Sequence, residues 1–367
     1  MSHPPQSYSN ATNLHTNGSI RRTKILFLGT RRSGKTSILQ VLFDDLPVKQ
    51  TFYLEPTMRV AKHYIDTVIP LEIWDCPGNA TVNTLGTSLA DVSTIIFVID
   101  IRDLYQQPVS KLVEFIVAAC QMNPDINFEV FVHKAERLQE DDKIENFRQI
   151  HERVMDRLLD ESPEFEQFPL NFHLTSIYDH SLREAFPRVL HKLIDSLLYL
   201  EDLLNIFCSN TASPKAFLFD TSSKIHVATD ASPVDQATHN LCCDYLSMLN
   251  SFGPLYRCVS TPPPTAIAPT PASSTTPAGT PPLTILSPIP PSKPNFFPSA
   301  ATSLSASRPG TTLTYHLLTP HLALLALLPT TVYEMRRGLV EWNIVWFREG
   351  VREIWEVERE WSTGEVV

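Results

Sequence analysis

Short apolar runs alternate, between about residues 23 and 200, with longer stretches in which apolar positions recur every third or fourth residue. The short runs predict strands and the longer stretches predict amphipathic helices. The predicted strands are Lys24–Leu28, Met58–Asp66, Val68–Asp75, Thr94–Asp100, Phe128–His133 and Asn171–Thr175. The predicted helices include Leu104–Met122, Lys143–Leu159 and Ser181–Leu198. This alternation predicts an α/β fold with an open, mostly parallel sheet and helices on both faces.

The pattern changes beyond residue 200 and predicts a second α/β unit. Lys215–Asp220 and Lys224–Ala228 predict a hairpin, and Thr311–Leu328 predicts two further strands. A last helix carries one continuous apolar stripe, formed by Val340, Ile344, Phe347, Val351 and Ile354. Four tryptophans lie beside this stripe and suit both a cover over the sheet and a partner interface; they are Trp342, Trp346, Trp355 and Trp361.

Two helix starts carry capping signals. Ser181–Glu184 has the form of a capping box, which predicts that Ser181 caps the helix that follows. A second helix is predicted to begin near Ser232, with Pro233 at its first position and Asp235 in the capping-box place, and to run to about Leu249.

Composition sets the domain limits. Residues 1–22 are polar and predict a disordered arm, residues 23–200 form the first domain, and residues 201–361 form the second, before a tail at 362–367. The segment 260–310 is predicted to be a disordered insertion, because residues 261–310 hold 14 of the 30 prolines. Its Ser-Pro and Thr-Pro pairs suit phosphorylation, but a passive spacer is the favoured interpretation.

Charge and cysteine usage exclude several classes of function. The net charge of −10 argues against a general nucleic-acid binder, which would present a basic face. The 6 cysteines form no C-x-x-C pair, so neither a zinc site nor a redox motif is indicated. The adjacent Cys242 and Cys243 lie in a helical pattern and are expected to be buried thiols, and a reducing intracellular compartment fits best. We see no signal peptide, and the longest apolar run, Leu322–Leu328, is too short to span a bilayer, so no direct membrane insertion is expected.

A glycine loop follows the first predicted strand. Gly29–Thr36 matches G-x-x-x-x-G-K-[ST], and a helical pattern follows it, which is the context that a phosphate-binding loop requires. Its backbone N–H groups and the helix N-terminus would hold phosphates, Lys35 would reach the terminal phosphates, and the Thr36 hydroxyl would bind Mg²⁺. The residues assigned to phosphate binding are Arg31, Arg32, Ser33, Gly34, Lys35, Thr36 and Ser37.

Two further segments supply candidates for the phosphate end of the site. Asp75 ends a predicted strand and is assigned to Mg²⁺ through a water, while Gly78 would offer its N–H to a γ-phosphate. Thr57, in the segment ahead of the second predicted strand, suits a switch residue that meets both Mg²⁺ and the γ-phosphate. Thr36, Thr57 and Asp75 are therefore the predicted metal ligands, and Thr57, Gly78 and Asn79 are the predicted catalytic residues.

The end of the fifth predicted strand points to guanine. A small GTPase carries Asn-Lys-x-Asp there, and this chain has His133, Lys134 and Glu136 at the corresponding positions. Glu136 offers the same acceptor group on a side chain one methylene longer. Ser176 and Ile177, after the last strand, suit the loop that contacts the base through its backbone.

At these residues the chain resembles the Rag GTPases of the Ras-like superfamily, and among them the RagC/RagD-type subunit and its fungal counterparts. The resemblance rests on Gly29–Thr36, Trp74–Gly78, His133-Lys134 and Leu174–Ser181, and it continues through Lys215–Asp220 and Ala228–Asp235. It implies a Ras-like P-loop GTPase domain followed by a roadblock/longin-like α/β domain. GTP or GDP and Mg²⁺ are the implied ligands.

The resemblance also implies partners and a location. These are an obligate RagA/RagB-type GTPase, a membrane-anchored scaffold complex of the Ragulator or EGO type, a GTPase-activating protein and the target-of-rapamycin kinase complex, which it would recruit in response to amino acids. The expected location is cytoplasmic and peripheral on the vacuolar or lysosomal membrane, with a further nuclear pool.

Two departures from the family modify these expectations. Asn79 stands where the family has Gln, and Glu136 stands where the family has Asp. In addition, no convincing arginine finger is present, Arg59 being a weak candidate. Slow unaided hydrolysis is therefore expected. A non-hydrolysing, nucleotide-bound scaffold stays open as an alternative function, and so does a monomeric trafficking GTPase, although the sequence offers no anchor for the latter and does carry an extra domain.

Overall fold

The computed structural model of the chain describes residues 22–66, 69–103, 106–252, 298–304 and 310–363, without the side chains of 358–363. The predicted N-terminal arm lies almost wholly outside these residues, as do most of the predicted insertion, the tail after residue 363 and the side chain of Trp361. The predicted starts of two elements, at Val68 and Leu104, also lie outside them.

A six-stranded sheet forms the first domain. In chain order its strands are β1 (Thr23–Gly29), β2 (Ala61–Asp66), β3 (Pro70–Asp75), β4 (Thr94–Asp100), β5 (Asn127–His133) and β6 (Leu170–Thr175). The order across the sheet is β2-β3-β1-β4-β5-β6, and only β2 runs antiparallel to its neighbour. Its helices are α1 (Lys35–Phe43), α2 (Gln106–Met122), α3 (Glu140–Glu161) and α4 (Ser181–His191).

The central strands are buried on both faces, which is why they read as continuous apolar runs. Along β1, Ile25 and Phe27 pack into the core on one face, while Leu26 and Leu28 pack into the core on the other. This alternation places α1 and α4 on the first face and α2 and α3 on the second. The carboxyl ends of the parallel strands then meet at one edge, where ligands bind in sheets of this kind.

A second, antiparallel sheet forms the second domain. Its strands are β7 (Lys215–Asp220), β8 (His226–Thr229), β9 (Ser299–Ser303), β10 (Thr311–Leu317) and β11 (Leu322–Pro329), in the order β8-β7-β11-β10-β9. The remaining helices are α5 (Leu197–Thr211), α6 (Gln236–Phe252), α7 (Thr330–Met335) and α8 (Arg337–Thr363). The predicted fold class is confirmed, and this domain is consistent with a roadblock-like fold.

One strand corrects the prediction for the insertion. Ser299–Ser303 lies inside the segment expected to be disordered, yet it pairs with β10 at the edge of the sheet. The strand consists of small polar residues and alanines, and its side chains are mostly exposed or half-buried. Its order comes from backbone pairing rather than from burial, so composition could not reveal it.

Two helix starts and one helix length also differ from the predictions. Ser181 is not the cap: the helix begins at Ser181 itself, with His180 as its cap residue, and the Ser181 hydroxyl instead accepts the Ser176 N–H at 2.8 Å. Pro233 is not helical, and Asp235 caps α6 by accepting the Thr238 N–H at 3.0 Å.

The predicted helix Ser181–Leu198 is two helices, since α4 ends at His191 and α5 begins at Leu197. Leu190, Ile194 and Leu197 keep helical spacing across the break and all pack into the same core, so apolar periodicity could not indicate the turn.

The helices of the second domain cover both faces of its sheet. Helices α5 and α8 share a core with one face, and α6 packs on the other through Cys242 and Cys243, which are buried thiols as predicted. The predicted stripe on α8 is buried as far as Val351. Trp342 and Trp346 lie outside it and are exposed, with ring centroids 6.2 Å apart.

Candidate functional site

The loop between β1 and α1 requires glycine at both ends. Gly29 has φ of 143°, and a Cβ there would lie 2.3 Å from the Val98 carbonyl oxygen. Gly34 has φ of 110°, and a Cβ there would lie 2.6 Å from Cδ2 of His133. Both angles lie where L side chains are strained. The loop therefore keeps its curvature only with glycine at these positions.

Lys35 lies folded over this loop. Its Nζ donates to the carbonyl oxygens of Gly29 and Thr30, at 3.2 and 3.0 Å, and lies 3.5 Å from Oγ of Ser33. Burial lowers the pKa of Lys35 to about 8, and Asp75 opposes that effect. The ammonium group is thus a poorly solvated charge that a phosphate would neutralise.

The other predicted phosphate-binding residues divide into two groups. Ser33 is buried and Ser37 is half-buried, whereas Arg31 and Arg32 are exposed. The two arginines take part through their backbones: Arg31 packs against Gly78, and the Arg32 carbonyl accepts a hydrogen bond from Nζ of Lys134. The structure therefore brings Ser33, Lys35 and Thr36 together and leaves both guanidinium groups outside the loop.

Three oxygens converge beside the loop. Oδ2 of Asp75 accepts hydrogen bonds from the hydroxyls of Thr36 and Thr57, at 2.6 and 2.9 Å, and these two hydroxyls are 2.7 Å apart. The strand register brings Asp75 here, because β3 pairs with β1 and both strands end beside the loop. All three predicted metal ligands thus lie within hydrogen-bonding distance of one another.

This set of donors fits Mg²⁺. Hydroxyl and carboxylate oxygens are the ligands that this hard cation prefers, and it commonly keeps several of its waters. Asp75 is only 1% exposed, yet its Oδ1 has no hydrogen-bond partner in the part of the chain that the structure describes. A buried carboxylate oxygen without a partner is costly, and a metal-bound water would satisfy it.

Gly78 lies close to the glycine loop. A Cβ at Gly78 would lie 2.6 Å from N and Cα of Arg31, so only glycine allows this approach. The Gly78 carbonyl accepts a hydrogen bond from Nζ of Lys111, at 2.8 Å. Asn79 and Arg59 are exposed.

His133 is buried at the end of β5. Its Nδ1 lies 3.0 Å from Oγ1 of Thr175. Burial lowers the pKa of His133 to about 3, and the neighbouring Lys134 charge adds to the effect, so the imidazole is neutral at physiological pH. Since His133 also contacts Gly34, it joins the predicted base loop to the phosphate loop.

Lys134 is held by two partners. Its backbone has φ of 66°, and its Nζ lies 2.9 Å from Oδ2 of Asp100 while also donating to the Arg32 carbonyl. Burial would raise the pKa of Asp100, but hydrogen bonds from Arg102 and Lys134 lower it to about 2. The lysine stem is thereby fixed alongside the loop.

The two loops predicted to lie at the base, after β5 and after β6, are joined by a hydrogen bond. Oε2 of Glu136 accepts from Oγ of Ser176 at 2.6 Å, and that same Oγ accepts the Tyr178 N–H. Ile177 is half-buried and packs against the core. The loops after β5 and β6 are therefore joined where the resemblance implies a base.

Three residues at this site were not predicted to belong to it: Asp100, Lys111 and Ser181. Asp100 ends a predicted strand, so its place at the carboxyl edge could have identified it. Nothing in the sequence pointed to Lys111, because the fold alone brings it near Gly78. Ser181 was expected only as a helix cap, whereas its hydroxyl accepts the Ser176 N–H.

A glycine loop before α1, an acid at the end of β3 and a lysine-containing loop after β5, arranged on this sheet order, define a nucleotide-binding protein of the G-protein class. The Gtr1/RagA G protein conserved region matches residues 24–246. GTP-binding protein gtr2 of Schizosaccharomyces pombe is 42% identical over 241 residues, covering 65% of this chain and 76% of that protein. The chain belongs to the Gtr1/RagA family of G proteins, and the identities fit a RagC-type fungal member of that family.

Two other relatives help to place the chain within the family. Ras-related GTP-binding protein C of Homo sapiens is 36% identical over 342 residues, covering 92% of this chain and 77% of that protein. GTP-binding protein gtr1 of S. pombe is 24% identical over 226 residues, covering 59% of this chain and 71% of that protein. Membership of a G-protein family implies a GTPase that binds GTP and GDP. No helix in the described part of the chain is long and apolar enough to cross a membrane.

Proposed function

We propose that the chain is a guanine-nucleotide switch that acts as the RagC-type subunit of a Rag GTPase heterodimer and hydrolyses GTP slowly on its own. The observation that carries the nucleotide part is the convergence of Thr36, Thr57 and Asp75 beside Lys35. These residues come from the helix after the loop, the segment before β2 and the end of β3. A γ-phosphate that binds here with Mg²⁺ would order the segment around Thr57, which is the basis of a switch.

Each residue has a distinct task in this proposal. Lys35 and the loop N–H groups bind the phosphates, and Thr36, Thr57 and Asp75 hold Mg²⁺, which would neutralise charge on the phosphate oxygens. Gly78 directs its N–H at the γ-phosphate. His133, Lys134 and Glu136 face the base, with Ser176 and Ile177 lining the same end.

The proposed slow hydrolysis follows from Asn79. A water-positioning residue must hold the attacking water in line with the γ-phosphate. Asn79 is one methylene shorter than the Gln of the family, and it is exposed. Arg59, the weak candidate for an arginine finger, is exposed as well. A GTPase-activating partner would supply what these residues lack.

The proposed heterodimer rests on the relatives and on the second domain. The similar proteins include the gtr1 and RagA kind as well as the gtr2 and RagC kind, which fits a pair of unlike subunits. Through such a dimer the nucleotide state would control recruitment of the target-of-rapamycin kinase complex when amino acids are sufficient. A membrane-anchored scaffold complex of the Ragulator or EGO type would hold the dimer at the vacuolar or lysosomal surface.

Single-turnover hydrolysis tests this proposal. The full chain, alone and with a RagA/RagB-type subunit, is loaded with GTP and Mg²⁺, and phosphate release is followed with and without a GTPase-activating protein. We expect slow release alone and at least a tenfold increase with the activator. Mass measurement of the co-purifying nucleotide is the companion test, and finding ATP would contradict the assignment of the base.

The non-hydrolysing scaffold is the second candidate, and the exposed position of Asn79 favours it. Asn79→Gln separates the two functions, because it restores the family's residue without touching the metal ligands. A switch predicts faster activator-stimulated release in this variant. A scaffold predicts no release in either protein, with or without the activator.

A further inference from the structure

Lys111 reaches the phosphate end of the site from a helix on the far face of the sheet. It lies in the second turn of α2 and is half-buried. Its Nζ donates to the carbonyl oxygen of Gly78 at 2.8 Å, across 33 residues of sequence. A hydrogen bond from a charged donor is about twice as strong as one between neutral groups.

The accepting carbonyl belongs to the peptide that joins Gly78 to Asn79. Fixing this oxygen fixes the plane of that peptide, and with it the Asn79 N–H and the direction in which the Asn79 side chain leaves the backbone. Gly78 has no Cβ, so its backbone has a wide conformational range unless neighbouring groups restrict it. Two contacts do so: Arg31 packs against Gly78, and Lys111 donates a hydrogen bond to its carbonyl oxygen.

Lys111 also adds charge to this end of the site. The charge of Lys111 lowers the pKa of Lys35, although less than burial and Asp75 affect it. Burial lowers the pKa of Lys111, while Glu114 and Cys76 oppose that change. Two neighbouring cations are stabilised together when an anion binds close to both.

We propose that Lys111 is a positioning residue for the terminal phosphate: by holding the Gly78 carbonyl it restricts rotation about Gly78, whose own N–H is assigned to the γ-phosphate of a nucleoside triphosphate, and it orients the Asn79 N–H beside it. The inference deepens the proposed function and rests on it. A diphosphate has no group at this position, so Lys111 contributes to the preference for triphosphate over diphosphate and much less to nucleotide binding in general.

The ratio of two affinities tests this role. Dissociation constants for a non-hydrolysable GTP analogue and for GDP are measured with Mg²⁺ on the full chain and on Lys111→Met, which keeps the apolar stem and removes the charge. We expect about tenfold weaker binding of the analogue and less than a twofold change for GDP. Lys111→Arg, which keeps a charged donor, is expected to restore most of the ratio.

Lys143→Met is the matched control, because Lys143 also lies on a helix of the first domain but pairs with Glu140 instead. Equal weakening for both nucleotides in Lys111→Met would assign Lys111 a purely structural role and overturn the inference. If Lys111→Met does not fold, Lys111→Gln replaces it and the same ratio decides. Failure of the unsubstituted chain to bind either nucleotide would contradict the proposed function itself.

Discussion

The two ends of the site differ in how their polar groups are paired. At the phosphate end, Oδ1 of Asp75 is buried with no hydrogen-bond partner among the described residues, and Nζ of Lys35 donates to oxygens of the loop. At the base end, the bonds His133–Thr175, Lys134–Asp100 and Glu136–Ser176 link side chains to one another. The phosphate end therefore has a buried oxygen that a ligand would satisfy, whereas each predicted side chain at the base end already has a side-chain partner.

This difference bears on what each end contributes. Binding at the phosphate end would relieve an unsatisfied oxygen and a desolvated ammonium group, so most of the affinity should come from there. At the base end a ligand must displace or share existing hydrogen bonds, which limits the net gain. We therefore expect affinity to depend on the phosphate end and selectivity to depend on the geometry of the base end.

The largest expected effect comes from Gly34→Ala, which disturbs both the phosphate loop and His133 at the base end. The new Cβ would lie 2.6 Å from His133 and would require a left-handed backbone. We expect the free energy of unfolding to fall by about 2–3 kcal/mol and nucleotide binding to be lost. Denaturant unfolding and nucleotide titration check these effects. Gly86→Ala is the control, since Gly86 also has positive φ but open space around its Cβ position.

The second prediction compares two aspartates that end the parallel strands on either side of β1, Asp75 on β3 and Asp100 on β4. Asp75→Asn should weaken nucleotide binding about 100-fold with Mg²⁺ and have little effect when the metal is chelated. Asp100→Asn should weaken binding to a similar extent with and without Mg²⁺, because it releases Lys134 at the base end. If Mg²⁺ changed the nucleotide affinity of the two variants equally, the division of the site into a phosphate end and a base end would be contradicted.

The third prediction concerns pH. His133 has a pKa of about 3 in the folded protein, against about 6.5 in the unfolded chain. The unfolded chain therefore binds the extra proton, so the stability linked to His133 is fully present above pH 6.5 and is lost as pH falls toward 3. His133→Asn removes this dependence, which amounts to at most about 1.4 kcal/mol per pH unit.

The measurement is unfolding of both proteins between pH 7 and 4. The difference between the two isolates His133 from other buried histidines with lowered pKa values, such as His226 and His316. Parallel curves for the two proteins would contradict the assignment of a neutral, buried imidazole at the base end.

The smallest effect is expected from Ser176→Ala. This change frees Oε2 of Glu136 and the Tyr178 N–H. We expect a loss of about 1 kcal/mol in the free energy of unfolding and a severalfold change in the affinity ratio of GTP to ITP, which lacks the 2-amino group. A change in Mg²⁺ dependence would show that the two ends are not separate. Ser181→Ala, which removes the acceptor for the Ser176 N–H, tests whether the loop itself must be held.

Sequence patterns located most of the fold, because a buried parallel strand is a continuous apolar run and Gly29–Thr36 has few other structural contexts. They failed where backbone pairing or a turn carried no apolar signal. Ser299–Ser303 is ordered by pairing with β10, and the break between His191 and Leu197 keeps helical spacing. The predicted capping box at Ser181–Glu184 was wrong, because the helix already includes Ser181 and the serine hydroxyl accepts the Ser176 N–H instead.

The sequence by itself determined the alternation of strands and helices, the glycine loop and the polar residues at the strand ends, since these depend on local spacing and residue type. Only the tertiary structure decided which of those residues meet. The register of β1 with β3 brings Asp75 to Thr36, and the packing of α2 brings Lys111 to Gly78. Contacts across tens of residues depend on how the layers pack, and no local pattern encodes that packing.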